Sequence, residues 1–165
     1  MSSCSGKAAG LPADLVAHID GGSRGNPGPA AFAAVMKTLD DELVDEISGF
    51  LGRTTNNVAE YEALLAALDY AIAHKCRRLR VVADSELLVR QINGTYKVKS
   101  QSLKPLYERA KHLIGHLECF SIRHVYREQN RESDRLANRT LDAAGKTQHQ
   151  RSHDDTGYRP TPEDA

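Results

Sequence analysis

The chain has 165 residues, 40% hydrophobic and 27% charged, with no net charge at neutral pH. That suits one globular domain with a real core, and nothing in it approaches the roughly 18 consecutive apolar residues that a membrane span needs. Zero net charge also excludes a protein held to nucleic acid by bulk charge alone.

Met1 to Ala13 are small and polar and read as a flexible arm, with no signal-peptide apolar segment. Leu15 to Ile19 form a short apolar strand ending in Asp20. Gly21 to Pro29 are too rich in Gly and Pro for helix or strand interior. A second strand, Ala30 to Lys37, turns through residues 38–41 into a third, Glu42 to Phe50, and the three read as an antiparallel meander. A polar loop, Arg53 to Asn57, opens a helix running from Asn57 to Lys75. Glu60 is placed in its first turn, and Leu64, Ala67, Leu68 and Ala71 follow on the same helical face. A carboxylate is thereby set on a buried face, where it needs a partner or a metal. Taken alone, it could equally be a first-turn Glu favoured by the helix dipole.

Arg78 to Ala83 form a fourth strand ending in Asp84. Ser85 to Asn93 read as a short helix stopped by Gly94, and Ser102 to His116 as another, with Pro105 tolerated in its first turn. Cys119 to Val125 form the fifth strand. Arg131 to Ala144 form a last helix closed by Gly145, and residues 146–165 are a polar tail. The folded domain is thus expected over residues 14–145, as an α/β chain with a mixed five-stranded sheet and helices packed on it. The three cysteines, Cys4, Cys76 and Cys119, are scattered without a Cys-x-x-Cys pair. No disulfide framework is expected, Cys76 and Cys119 read as packing residues, and a reducing cytoplasm is the default location.

Four acids fall at chemically useful places. Asp20 and Asp84 end strands, and Glu60 and Asp134 sit near helix starts. Open α/β sheets bind ligands at the carboxyl ends of strands beside helix starts, so the four could converge. Converging carboxylates repel one another and call for cations. Hard oxygen ligands without Cys or paired His select Mg²⁺, with Mn²⁺ as the alternative. Such a cluster suits two-metal phosphodiester hydrolysis, with ions roughly 3.5–4 Å apart. Each acid, taken singly, could also be a cap or a surface residue. His112 and His116 are four apart on a helix, but no third ligand follows, so they read as a surface pair.

The segments Asp20-Gly-Gly-Ser-Arg-Gly-Asn-Pro-Gly-Pro, Thr55-Asn-Asn-Val-Ala-Glu-Tyr-Glu-Ala-Leu, Asp84-Ser and Asn130-Arg-Glu-Ser-Asp-Arg-Leu-Ala-Asn resemble the four signature segments of the type 1 ribonuclease H family. They keep that family's order and spacing from about Leu15 to Ala144, and Asp155 to Tyr158 are similar to a C-terminal segment of bacterial members. The resemblance implies a five-stranded sheet in the order 3-2-1-4-5 with helices on both faces, and cleavage of the RNA strand of RNA–DNA hybrids to 3′-OH and 5′-phosphate ends. It implies that Asp20, Glu60, Asp84 and Asp134 bind the metal ions. Asn26, Asn56 and Asn57 match positions that touch the minor groove of the hybrid, where the 2′-OH marks RNA. Arg53 and Thr55 match positions gripping a DNA-strand phosphate, although Thr55 could simply cap the helix. The expected partner is an RNA–DNA hybrid, with no membrane, and the chain is expected to be a monomer.

Three departures from the family stand out. Only residues 94–101 separate the two middle helices, so the chain resembles the branch without a basic handle, although Lys97 and Lys99 keep the link basic. Glu86 stands where bacterial members have a substrate-touching Gln. The loop before the last helix, Tyr126 to Gln129, lacks the mobile His of many members; His124 alternates with Phe120 and Ile122 and reads as core or sheet-face packing. Arg127 is the candidate for the catalytic place of that His, or else a phosphate-contacting or solvent-exposed residue. Two other functions stay open: a catalytically silent nucleic-acid-binding module, and a nuclease acting on DNA.

Overall fold

The computed structural model describes residues 13–154, with side chains through Lys146. Five strands, β1 (Asp14–Ser23), β2 (Gly28–Lys37), β3 (Leu43–Thr54), β4 (Arg78–Ala83) and β5 (Cys119–His124), form one sheet in the order 3-2-1-4-5. Hairpin connections make β1, β2 and β3 antiparallel, whereas β4 joins β1, and β5 joins β4, in parallel. Parallel neighbours need long crossovers. These carry α1 (Asn56–Ala73), then α2 (Glu86–Ile92) and α3 (Lys104–Ile114); α4 (Arg131–Asp154) follows β5 after a 3-10 turn at Arg127–Gln129. Among the described residues, no helix is long and apolar enough to cross a membrane.

The period-two alternation of strand side chains divides the core. Ala17 and Ile19 of β1 and Ala34 and Met36 of β2 pack with Leu64, Leu65 and Leu68 of α1. Ala33 and Val35, pointing the other way, meet Leu136 and Ala137 of α4. Helices therefore cover both faces. Leu64 and Leu68 are fully buried, each contributing about 1.5–3 kcal/mol by leaving water. The buried Tyr61 hydroxyl donates to Gln91 Oε1 at 2.6 Å, tying α1 to α2.

Several boundaries differ from the sequence expectation, each for a local reason. β1 does not end at Asp20: Gly21 and Gly22 keep pairing opposite Phe32 and Ala31, so Asp20 lies inside the strand. β3 does not stop at Phe50. A register shift between Ala30 and Ala31, with Gly52 at φ 73°, bends the strand and carries Arg53 and Thr54 across from Pro29 and Gly28. Thr55 is the N-cap, so Glu60 is the fifth helical residue rather than part of the first turn. Cys76 is a free buried thiol, whereas Cys119 is disulfide-bonded rather than a packing thiol. The expected N-terminal arm through residue 12 and the segment Asp155 to Tyr158 lie outside the described residues.

The largest difference is in α4, which runs through Gly145 to Asp154. Gly145 does not take the left-handed conformation that would stop a helix, and the space where its Cβ would stand is open. No proline follows until Pro160. A glycine inside an exposed helical turn costs about 1 kcal/mol relative to alanine. Gly145→Ala is therefore expected to stabilise the protein by about 0.5–1 kcal/mol in chemical denaturation. A loss of stability would mean that the helix ends there.

Candidate active site

The parallel register of β1 and β4 sets Ile19 opposite Ala83. Asp20 and Asp84, the next residues along, emerge side by side on strands about 4.8 Å apart. Glu60 comes from the opposite direction, and Gly21 lets it in. A Cβ on Gly21 would stand 2.2 Å from the Ala59 carbonyl carbon and 2.5 Å from the Glu60 nitrogen. Only glycine permits α1 to press this closely on β1. The outcome is that one carboxylate oxygen from each of Asp20, Glu60 and Asp84 lies within 4.8 Å of the other two. The fourth acid, Asp134 on α4, brings its carboxyl within hydrogen-bonding reach of Asp20.

Two of these acids are buried: Asp20 and Glu60 are 7% and 6% exposed. Burial, followed by repulsion from Asp84 and Asp134 and a hydrogen bond with Asp134, pushes the Asp20 carboxyl from 3.8 up to about 8. Burial, then repulsion from Asp20 and Asp84, drives Glu60 well above its ordinary range against a hydrogen bond from the Gly21 backbone. Glu60 Oε2 is buried with no hydrogen-bond partner, although buried polar atoms are normally satisfied. Clustered hard oxygens and an orphaned carboxylate oxygen are what a small divalent cation would satisfy.

Around the acids, Asn56, Asn57, Ser85, His124, Tyr126 and Arg127 line one open cleft with Glu60 and Asp84. Arg127 Nε stands 3.7 Å from Asp84 Oδ2, and its side chain is 78% exposed. This is a loose ion pair worth little by itself. The expectation for His124 is overturned. It is exposed at the end of β5, at the edge of the Tyr126 ring with centroids 5.6 Å apart, and faces the cleft. It shares a face with buried Ile122, but as the last residue of β5 it stands beyond the covered part of that face. Exposed Glu86 is held by Arg90 at 2.7 Å, so its charge is partly met within α2.

Of the expected minor-groove and capping residues, Asn26 and Asn56 are tied together and Thr55 is held by α1. Asn56 Oδ1 accepts from the Ser23 N–H at 2.9 Å, and Asn26 Oδ1 accepts from the Asn56 N–H at 3.2 Å. Thr55 Oγ1 accepts from the Val58 N–H at 3.3 Å, the N-cap bond of α1. Asn57 and Arg53 are exposed, and Arg53 stands at the end of β3 beside this cluster. Asn130 had no role assigned from sequence. It is buried, and its side chain donates to Ile19 O at 2.7 Å, fastening the start of α4 next to Asp20.

A family model described as reverse transcriptase-like matches residues 18–140. The bifunctional protein Rv2228c of Mycobacterium tuberculosis is 43% identical over 134 residues, 81% of this chain and 37% of its own length. Ribonuclease HI of Halobacterium salinarum is 41% identical over 128 residues, 78% of this chain and 64% of its own. The chain thus spans less than two thirds of these curated relatives. Among solved structures, the N-terminal RNase H domain of Rv2228c matches with a TM-score of 0.78 at 42% identity, covering 81% of this chain and 97% of that one. LC11-RNase H1 in complex with an RNA/DNA hybrid matches at 0.75 and 38% identity, covering 79% and 98%.

The raised carboxyls make stability depend on pH in a definite direction. A group protonated in the fold but ionised in the unfolded chain binds more protons when folded. For Asp20 this contribution to metal-free stability falls as pH rises from 3.8 to about 8. Asp20→Asn removes one repelling charge and is expected to stabilise the metal-free protein near pH 8 by ~2 kcal/mol, on the order of one or two pKa units of relieved strain. The gain should shrink towards pH 4. Thermal unfolding of both proteins across that range checks it, and a pH-independent difference would refute the linkage.

Proposed function

This chain belongs to the ribonuclease H-like family, and we propose that it is a metal-dependent endonuclease that hydrolyses the RNA strand of RNA–DNA hybrids, leaving 3′-OH and 5′-phosphate ends. The observation that carries this reading is the close cluster of Asp20, Glu60 and Asp84, with Glu60 Oε2 left without a partner. Those three and Asp134 would hold Mg²⁺, or Mn²⁺ in its place. Bound there, divalent ions supply a water of lowered pKa and neutralise charge on the attacked phosphate.

The remaining work falls to the chain's own residues. Asn26 and Asn56 spend their carbonyl oxygens on internal hydrogen bonds. Their amide N–H groups are left to donate to a ribose 2′-OH, which can accept as well as donate. Asn57, exposed at the start of α1, can use both ends of its amide. Arg53 and Thr55 would grip a DNA-strand phosphate from the neighbouring loop, with the Thr55 hydroxyl proton still free to donate while its oxygen caps α1. Arg127, exposed at the rim beside Asp84, would bring a cation to the phosphate being cleaved. We take the protein to act in the cytoplasm, as a monomer.

Incubation with a labelled RNA–DNA hybrid and Mg²⁺ or Mn²⁺ is the direct test. Cleavage of the RNA strand is expected. Asp20→Asn and Glu60→Gln should each lower the rate by more than the ~10–100-fold that loss of an outer-shell metal partner costs. No cleavage in either metal would reduce the chain to a silent binding module, and equal cleavage of duplex DNA would make it a general nuclease. Arg127→Ala is expected to lower kcat/KM about tenfold, or ~1.4 kcal/mol, with an altered pH profile. A rate unchanged at every pH would remove Arg127 from the mechanism.

A further inference from the structure

Three of the four acids are fixed by the sheet and by α1, but α4 shares no strand pairing with them. Its first turn is held by polar side chains instead. On the β1 side, Asn130 donates to Ile19 O, the residue before Asp20, while the Asn130 carbonyl accepts from the Asp134 N–H at 3.3 Å and from Ser133 Oγ at 3.0 Å. On the β2 side, the strand alternation that turns Ala33 and Val35 towards α4 turns Lys37 the same way. Lys37 is 7% exposed. Its ammonium donates to Glu132 Oε1 at 2.7 Å and to Asp41 Oδ1 at 3.0 Å, the latter in the hairpin turn after β2. Glu132 stands two residues before Asp134.

A covered ammonium is costly unless paired, and Lys37 meets this with two carboxylates, Glu132 making the shorter contact. Apolar contacts cannot supply the same restraint. Leu136, Ala137 and Leu141 are buried further along α4 and keep the helix on the sheet, but they lie C-terminal to the acid. We propose that Lys37 is a positioning residue for the metal site: by gripping Glu132 it fixes the first turn of α4 and so holds the Asp134 carboxyl against Asp20. Lys37 itself meets neither metal nor substrate. The inference rests on the reading of the four acids as metal ligands.

The discriminating measurement is the affinity of the protein for Mg²⁺ alone, read by calorimetry, together with the Mg²⁺ dependence of hybrid cleavage. Lys37→Met fills the same space without the charge and is expected to weaken Mg²⁺ binding about tenfold, the low end of what loss of an outer-shell partner costs. The metal concentration for half-maximal cleavage should rise by the same factor with KM for the hybrid unchanged. Lys37→Arg should restore both. Glu132→Gln, which leaves the strand untouched, should reproduce the weakening even if Lys37→Met folds poorly. In an Asp134→Ala background, Glu132→Gln should have no further effect on Mg²⁺ affinity. The proposal is overturned if Glu132→Gln keeps wild-type Mg²⁺ affinity, or weakens it equally with and without Asp134. Failure of the nuclease reading is a separate result, seen as wild-type protein that does not cleave the hybrid at all.

Discussion

Repulsion among carboxylates is the constraint around which this fold is arranged. Two unit charges at 4.8 Å, the limit within which Asp20, Glu60 and Asp84 approach one another, repel by about 3–4 kcal/mol at an effective dielectric of 20. Three such pairs would spread apart on any compliant scaffold. Here two acids extend from adjacent central strands in fixed parallel register, and the third is pressed in by a helix that a Cβ at residue 21 would push away. The sheet is stiff where the charges are worst. Without a cation, burial first and the neighbouring carboxylates second raise the Asp20 and Glu60 carboxyls, so that holding protons relieves part of the strain. A divalent ion held by these carboxylates, as proposed above, would relieve it by charge neutralisation in place of protonation.

The acids differ in what holds them: β1, β4 and α1 carry three of them, and the fourth stands outside the sheet. Asp134 is borne by α4, whose hold on the sheet near the acid depends on Lys37 and Asn130. Further along, exposed ion pairs of Arg24 with Asp142, and of Arg139 with Glu46, add contacts that salt would screen. Arg127 is looser still. This difference makes chemical sense, since ligands that must tolerate substrate entry and product departure belong on elements that can shift. The core three need not move.

Much of this was legible in the sequence because it is written in short local rules. The five strands, the buried face of α1 and the capping role open to Thr55 follow from periodicity and end signals, whereas the strand order was implied only by the resemblance to the ribonuclease H family. Boundaries near glycine were less legible. Gly21 and Gly22 look like loop residues, yet extend β1 because close approach of α1 requires a backbone without a side chain, a tertiary demand that composition does not reveal. Gly145 looks like a helix stop but lacks the left-handed conformation that a stop uses. His124 was misplaced because alternation on an edge strand says which way a residue points, not whether anything covers it. Lys37 and Glu132 lie 95 residues apart, and nothing local in either segment announces the other.

The amide cluster carries a consequence for selectivity. With the Asn26 and Asn56 carbonyl oxygens committed within the protein, the groups left facing a ligand are donors. On a ribose they can be satisfied by the 2′ oxygen; on a deoxyribose there is no such oxygen. A donor left unpaired against an apolar sugar edge costs about 1–3 kcal/mol, and a site built to hydrogen-bond a hydroxyl rejects the analogue lacking it more sharply than a hydrophobic pocket rejects a missing methylene. On the function proposed above, the locking bonds would be part of the discrimination. An amide free to rotate could turn its oxygen outward or withdraw to water, whereas an amide pinned through its oxygen must either find the 2′-OH or leave a donor stranded.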